Sequence, residues 1–501
     1  MPFAWLVFFT SLAYLGLLFL IAHYADRRAR QGRSIGSNPY VYSLSLAVYC
    51  TSWTFYGSVG RAATDGIGFL PIYLGPTLLF LVAPFLLRKI LKIAEAQHTT
   101  SIADFISSRY GKSQKLAGLV TVVAVIGIMP YIALQLKAIS TSFDILVGYP
   151  AISTYLPHST GVLNDKAFYV TLLMALFTIL FATRRLDASE HHEGLMVAIA
   201  FESLVKLFAF LAVGVFVTFF MFDGFTSIYD RVEADAGLAL LLSGQALFDN
   251  GSWTFLMILA ALAIFCLPRQ FQVTVVENTS RSHLDKAMWL FPLYLLAINF
   301  FVLPIAIAGL VSFPQESVNP DTFVLALPMA AGQPVLALLV YIGGLSAASG
   351  MVIVAAVALS TMVCNDLIVP LMMRLRLFQF GHTASETATG MLKGLRRLSI
   401  LGVLFLAYSY FKIIGDSYAL VTIGLVSFAA AAQFAPLIVG GVFWKGATLA
   451  GALAGLASGF LLWGYTLVLP AFAQSDWLPL SLVEQVPFGV SLLNPQALLS
   501  V

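Results

Sequence analysis

The chain reads as an all-α polytopic membrane protein of about 12–13 spans, on three observations. Of its 501 residues 59% are hydrophobic and only 10% charged, where a soluble domain carries about 25% charged; mean hydropathy is +0.90. Apolar runs of the roughly 20 residues that a bilayer crossing needs recur along nearly the whole length. Lys and Arg gather in loops that fall on alternate sides of successive runs.

Taken in order, the expected spans are 3–24, 40–61, 67–91, 115–147, 166–183, 193–222, 252–276, 286–312, 330–368, 399–414, 417–443 and 447–471, with 484–501 a weaker start to a thirteenth. The first is too long for a cleaved signal peptide and has its basic flank on the C-terminal side, so it is a retained span. The fourth and ninth exceed a perpendicular crossing and must tilt or bend. The basic segments 26–33, 88–92, 108–115, 183–185, 269–286, 374–397 and 444–445 hold 21 of the 27 Lys and Arg residues. Their side is therefore cytoplasmic, the N-terminus is outside, and the loops 148–165, 223–251 and 313–329 are exterior.

Span two is interrupted at mid-depth by Cys50, Thr51 and Ser52, flanked by Tyr49, Trp53 and Tyr56 and followed by Gly57 and Gly60. In lipid no water satisfies a loosened backbone, so such a break survives only inside protein or beside a wet cavity. Setting the first span aside, spans two to six and seven to eleven form two sets of five. Five being odd, the second set has the opposite orientation, as in an inverted repeat. Span seven, which opens the second set, is disturbed by CLPRQFQ at 266–272. Ser-Trp-Thr-Phe occurs at both 52–55 and 252–255, at different depths, and is read as coincidence. The division that follows is 1–38, an extra N-terminal helix and basic loop; 39–250, the first repeat; 251–445, the second; and 446–501, C-terminal helices.

TTSIADFISSRYG (99–111), YIALQLKAIS (131–140), LPRQFQ (267–272) and FAPLIVGGVFWKGATLAGALAG (434–455) resemble, in that order, segments of the solute:sodium symporter family of proline, sugar and pantothenate carriers. The resemblance implies a LeuT-type inverted five-plus-five repeat and alternating-access transport. SLSLAVYCTSWTFYGSVGRAATDGIGFLPIYLGP (43–76) is more narrowly similar to the membrane domain of CbrA-type sensor histidine kinases, which is associated with histidine uptake. The expected function is thus secondary transport of a small amino acid, L-histidine in particular, coupled to Na+ or H+, in a bacterial inner membrane. The rival is a solute-binding receptor domain; the sequence stops at Val501 without a kinase segment, so cytoplasmic signalling domains would belong to a longer chain.

In this family the solute lies against the two broken spans, which here points to Tyr49, Cys50, Thr51, Ser52, Trp53 and Tyr56, with Gln135 opposite and Pro268, Arg269 and Gln270 from span seven. Freed N–H groups and helix-end dipoles suit a carboxylate, carbonyls and hydroxyls suit an amine, and an aromatic ring covers an imidazole. The resemblance also implies a sodium site of adjacent hydroxyls on span nine plus carbonyls of span two. Span nine offers Ser346 and Ser349 one turn apart, with no adjacent pair, and the aspartate of related carriers is replaced by Tyr49 or Cys50. Both departures remove oxygen ligands that a hard cation needs, which leaves Na+ and H+ both open.

Among ionisable residues inside spans, Glu202 and Lys206 lie four apart and can neutralise each other. Lys137 faces the cavity, snorkels or pairs with an acid, Asp366 marks a helix end near an inner gate, and Arg269 is either a carboxylate receptor or an ordinary cytoplasmic cation. His191 and His192 fall in an acidic loop where a solvated charged loop is favoured over a metal site. Cys50, Cys266 and Cys364 lack metal or disulfide spacing. No nucleophile elbow, phosphate loop or zinc pattern appears, so neither an enzyme nor a cofactor is expected. The expected partners are the bilayer and a small solute, with no nucleic acid.

Overall fold

A computed structural model describes residues 2–149, 161–182, 192–243, 252–313, 318–375, 385–414, 420–475 and 477–479. Among the described residues the regular structure is helix, with no strand. The helices group into spans at 2–30, 39–65, 71–97, 114–147, 166–182, 193–221, 252–276, 283–312, 334–374, 385–414, 420–443 and 449–474, numbered one to twelve in the expected order. Seven of these are long and apolar enough to cross a bilayer without a sharp bend. Span seven is a pair of half-helices bent by 54° at residue 267. The weaker stretch 484–501 lies outside the described residues. Phe85 (79% exposed), Phe220 (77%) and Leu461 (71%) face outward from the bundle, an arrangement suited to lipid and costly in water.

The packing carries the inverted repeat. Span two lies against span eight and span seven against span three, and span four meets span eleven as span nine meets span six. Span two also touches span six as span seven touches span eleven. Each of these contacts in one set has its mate in the other, and the chain has the LeuT-type five-plus-five architecture. Span one packs on the outside of span six, and span twelve on spans four and eleven.

Three departures from the expected outline have local causes. Span ten begins at Ser385, fourteen residues before the apolar run starts at 399, because the basic segment around Lys393, Arg396 and Arg397 continues the same helix beyond the hydrocarbon. The loop expected at 223–251 contains the helices Phe225–Ala234 and Ala236–Ser243. The segment 99–111 folds as Ile102–Arg109, with Ser101 accepting from the Asp104 N–H and Asp104 accepting from the Thr100 N–H, a reciprocal N-terminal cap. The two Ser-Trp-Thr-Phe copies are structurally unrelated: Ser52 sits at a break, whereas Ser252 starts a helix that breaks only after Cys266.

The crossing of spans three and seven is set by Gly75. A Cβ there would strike the Met257 carbonyl and lie 2.9 Å from the Ala261 nitrogen, backbone atoms that cannot turn aside. Gly16, by contrast, has open space around it. Gly75→Val is therefore expected to lower the melting temperature sharply, at or beyond the ~1–3 kcal/mol typical of overpacking. Gly16→Val should leave it nearly unchanged when both are unfolded in detergent. Equal behaviour of the two variants would contradict the close crossing.

Candidate substrate-binding site

Span two runs as α-helix Pro39–Ser45, tightens to a 3₁₀ turn over Leu46–Tyr49, and leaves helical geometry at Cys50 (φ −78°, ψ 97°). It resumes through a π-turn over Trp53–Gly57 into Ser58–Asp65. Span seven breaks in the mirrored place. Leu267 is extended (φ −68°, ψ 124°), Pro268 opens the second half as its first residue, and a π-turn over Gln272–Val276 follows. Proline suits that position because its missing N–H would have no partner at a helix start anyway.

Side chains from three other spans bond to the backbone around Cys50, whose own N–H donates to the Ala47 carbonyl at 3.0 Å. Lys206 on span six donates from Nζ to the carbonyls of Ala47 at 2.6 Å and Cys50 at 2.7 Å. Gln270 on span seven donates to the Leu46 carbonyl at 3.1 Å. Gln135 on span four accepts from both the Ser52 N–H (3.1 Å) and the Ser52 hydroxyl (2.6 Å). Each buried backbone group left unpaired would cost about 1–3 kcal/mol, so these side chains hold the break open.

Around the break stands an aromatic cluster. The rings of Trp53 and Phe428 lie 4.9 Å apart, Tyr131 stacks on Phe428 at 5.7 Å, and Tyr49 approaches Phe428 at 6.1 Å. The Thr51 and Tyr131 hydroxyls are hydrogen-bonded at 3.0 Å, and Tyr49 donates to the Ile72 carbonyl at 2.8 Å. Arg269 sets its guanidinium 4.3 Å over the Tyr131 ring. The side chain is only 1% exposed, and none of its three guanidinium nitrogens has a hydrogen-bond acceptor. Its neighbour Gln270 is fully buried with Oε1 also unpartnered. Cation–π attraction returns about 2 kcal/mol to a desolvated guanidinium, short of the several kcal/mol that burying an unpaired charge costs.

The residues singled out in the sequence divide as follows. Tyr49, Cys50, Thr51, Ser52, Trp53, Gln135, Pro268, Arg269 and Gln270 come together at the two breaks. Tyr56 turns away to line a cavity of about 30 Å³ with Lys137 and Asp321. Burial rules out the reading of Arg269 as an ordinary loop cation. Glu202 and Lys206 do not pair directly: Lys206 reaches the span-two carbonyls, and the Glu202 carboxylate accepts from the Ser349 hydroxyl at 2.7 Å. Ser346 donates to the Glu202 carbonyl at 2.8 Å, so the hydroxyls expected to meet sodium are turned toward span six. Asp366 accepts from the Thr121 hydroxyl at 3.1 Å. His191 lies outside the described residues, and among those described no metal-binding cluster of His, Cys, Asp or Glu occurs. Tyr131, Phe428 and Lys206 as site residues were missed. Tyr131 was discoverable, four residues before Gln135 on the same helix face.

A cavity of about 310 Å³ opens at the end of the bundle that carries the basic loops, with Gln272, Glu277, His192, Thr99 and Arg396 in its wall. Those at the opposite end, beside Tyr56 and Trp53, measure about 30 and 10 Å³. Glu277 closes the second half of span seven onto the start of span six. It accepts from the His192 N–H (2.7 Å) and Gln272 (3.0 Å), and lies 2.8 Å from His192 Nδ1.

No protein-family model matches the chain. It is 25% identical over 445 residues to the uncharacterized symporter YodF of Bacillus subtilis (strain 168), covering 86% of this chain and 80% of that one. A second uncharacterized symporter of that organism, YhjB, is 24% identical over 307 residues, 60% of this chain and 57% of its own. One from Cupriavidus necator is 30% identical over 191 residues, 36% of this chain and 26% of its own. Among solved structures, a Na+-coupled sialic acid symporter in a substrate-bound outward-open state superposes with TM-score 0.62 at 13% identity, over 95% of this chain and 96% of that one. The manganese transporter of Eremococcus coleocola (H236A mutant) superposes with TM-score 0.50 at 13% identity, over 93% and 91%. At these identities the structures speak for the fold alone. The chain is a multi-pass membrane protein with the fold of secondary transporters, similar over most of its length to a protein named as a symporter.

Burial disfavours charge on both His192 and Glu277, but their mutual attraction outweighs it. The His192 imidazole is held above its usual range and the Glu277 carboxyl below its own, with Asp26 reinforcing and Arg396 opposing the imidazolium. A raised imidazole pKa stabilises the fold fully below about pH 6.5, the unfolded value, and the benefit fades as pH rises through the folded one. Glu277→Gln should therefore lower the melting temperature more at pH 6 than at pH 9, by an amount corresponding to roughly 1.5–3 kcal/mol at the lower pH. An equal loss at both would contradict the ionic latch.

Proposed function

We propose that the chain is a secondary transporter of a small zwitterionic amino acid, with L-histidine the specific candidate, working by alternating access between the two broken spans. One observation carries the reading. Adjacent residues at the break of span seven present, fully buried, a guanidinium with no acceptor (Arg269) and an amide oxygen with no donor (Gln270). A carboxylate and an ammonium on one carbon supply the two missing partners together. The rings of Trp53, Tyr131 and Phe428 offer a flat apolar surface to an imidazole. The similarity to proteins named as symporters supports transport, and nothing in those names favours the receptor alternative.

On this reading 1–38 and 446–501 flank the repeats 39–250 and 251–445, and the basic loops face the cytoplasm of a bacterial cell with the N-terminus in the periplasm. The cavity on the basic-loop side then makes this an inward-facing form, closed outside by packing around Tyr56 and Trp53. Uptake draws on a Na+ or H+ gradient, and Tyr49, Cys50, Thr51, Ser52, Trp53, Gln135 and Pro268 shape the site around the charged pair.

The test is solute-induced thermal stabilisation of the purified protein. Arg269→Met removes an unpaired buried cation, so the solute-free variant should melt at or above the parent's temperature, by up to ~1–4 kcal/mol of added stability. L-histidine should stabilise the parent and leave the variant unmoved. Histamine, which lacks the carboxylate, should stabilise neither. Undiminished stabilisation of Arg269→Met by histidine would place the carboxylate elsewhere.

A further inference from the structure

The family resemblance puts a sodium ion between the carbonyls of broken span two and the hydroxyls of span nine, and the chain's own residues do not fit one there. Two carbonyls at the break, Ala47 and Cys50, converge on a single point, and Lys206 Nζ occupies it at 2.6 and 2.7 Å. Lys206 is buried, 3% exposed. The nearby hydroxyls are committed as donors, Ser346 to the Glu202 carbonyl and Ser349 to its carboxylate, so their hydrogens point at span six. Glu202 lies one turn before Lys206 on span six, its carboxylate accepting from the Ser349 hydroxyl. That carboxylate lies against Gly350, where a Cβ would displace it. A lysine ammonium is a monovalent cation with directional donors, and two carbonyl dipoles at a helix break attract either kind.

We infer that Lys206 is a tethered cation that fills the position of a dissolved coupling ion, so that ordering of span two and solute binding proceed without sodium. The inference names the cation requirement of the transporter proposed above, yet it concerns the break rather than the solute and is tested without one. The fixed charge never dissociates with the solute, so a sodium gradient cannot be harvested at this site. Arg269, the other buried cation near the break, is excluded from the role because its guanidinium stacks on Tyr131 and makes no hydrogen bond to a carbonyl.

The experiment measures melting temperature in detergent, without solute, in NaCl, choline chloride and methylammonium chloride. The parent should be indifferent to the exchange. Lys206→Ala opens the carbonyl pair and should melt several degrees lower in choline, with recovery in methylammonium or NaCl. Lys206→Met fills the space with an uncharged chain and should show no recovery. A parent stabilised by NaCl over choline overturns the inference even if neither variant folds, and so does a Lys206→Ala variant that no small cation rescues. With histidine added, parent affinity should change less than about twofold on replacing Na+ by choline, a difference of under ~0.4 kcal/mol. Absence of any histidine effect would count against the proposed solute while leaving the cation result standing.

Discussion

Backbone polarity has nowhere to hide in a bilayer, and this structure is organised around the two places where the helical ladder is given up. At Cys50 and again at Leu267 a spanning helix leaves α geometry, and its backbone there must be satisfied inside the protein. Leu267 is held by backbone bonds to Ala263 and Phe271, while around Cys50 the side chains of Lys206, Gln270 and Gln135 bond to the backbone from spans six, seven and four. A substitution at any of them therefore acts on the break first and on its own span second. The breaks are cross-tied as well, since Gln270 beside one satisfies Leu46 beside the other.

That constraint explains where charge is tolerated. A cation inside a membrane span is expensive unless something answers it. Lys206 is answered within the protein by the Ala47 and Cys50 carbonyls. Arg269 has only the face of Tyr131. The two buried cations thus differ in kind: Lys206 holds two backbone carbonyls, and the Arg269 guanidinium has no acceptor. The cavity walled by His192 and Glu277 opens on the side of the basic loops.

Much of the architecture was legible in the sequence because its causes are local. Apolar run length set the spans, Lys and Arg placement set their alternation, and the small-polar patch at 50–52 and the proline at 268 announced the breaks. The polar helix 385–398 was not legible, since a hydropathy rule stops counting where the hydrocarbon ends and a helix need not. Nor was the destination of Lys206. Spacing showed a shared face with Glu202, but only the fold brings the Ala47 and Cys50 carbonyls, more than 150 positions away, within reach of its ammonium. Phe428 carries no local mark at all among the alanines of span eleven and joins the site purely through packing. Arg269 was visible as a cation, while its two readings could be separated only by burial.

The claim that the paired breaks enclose a translocation site for a zwitterionic solute is tested most directly by uptake of radiolabelled L-histidine into proteoliposomes containing the purified chain, with sodium and proton gradients imposed separately. Accumulation above the equilibrium level under one gradient, absent from liposomes bearing Arg269→Met, is the predicted result. Binding of histidine without accumulation under either gradient would contradict transport, and accumulation that survives Arg269→Met would contradict the site.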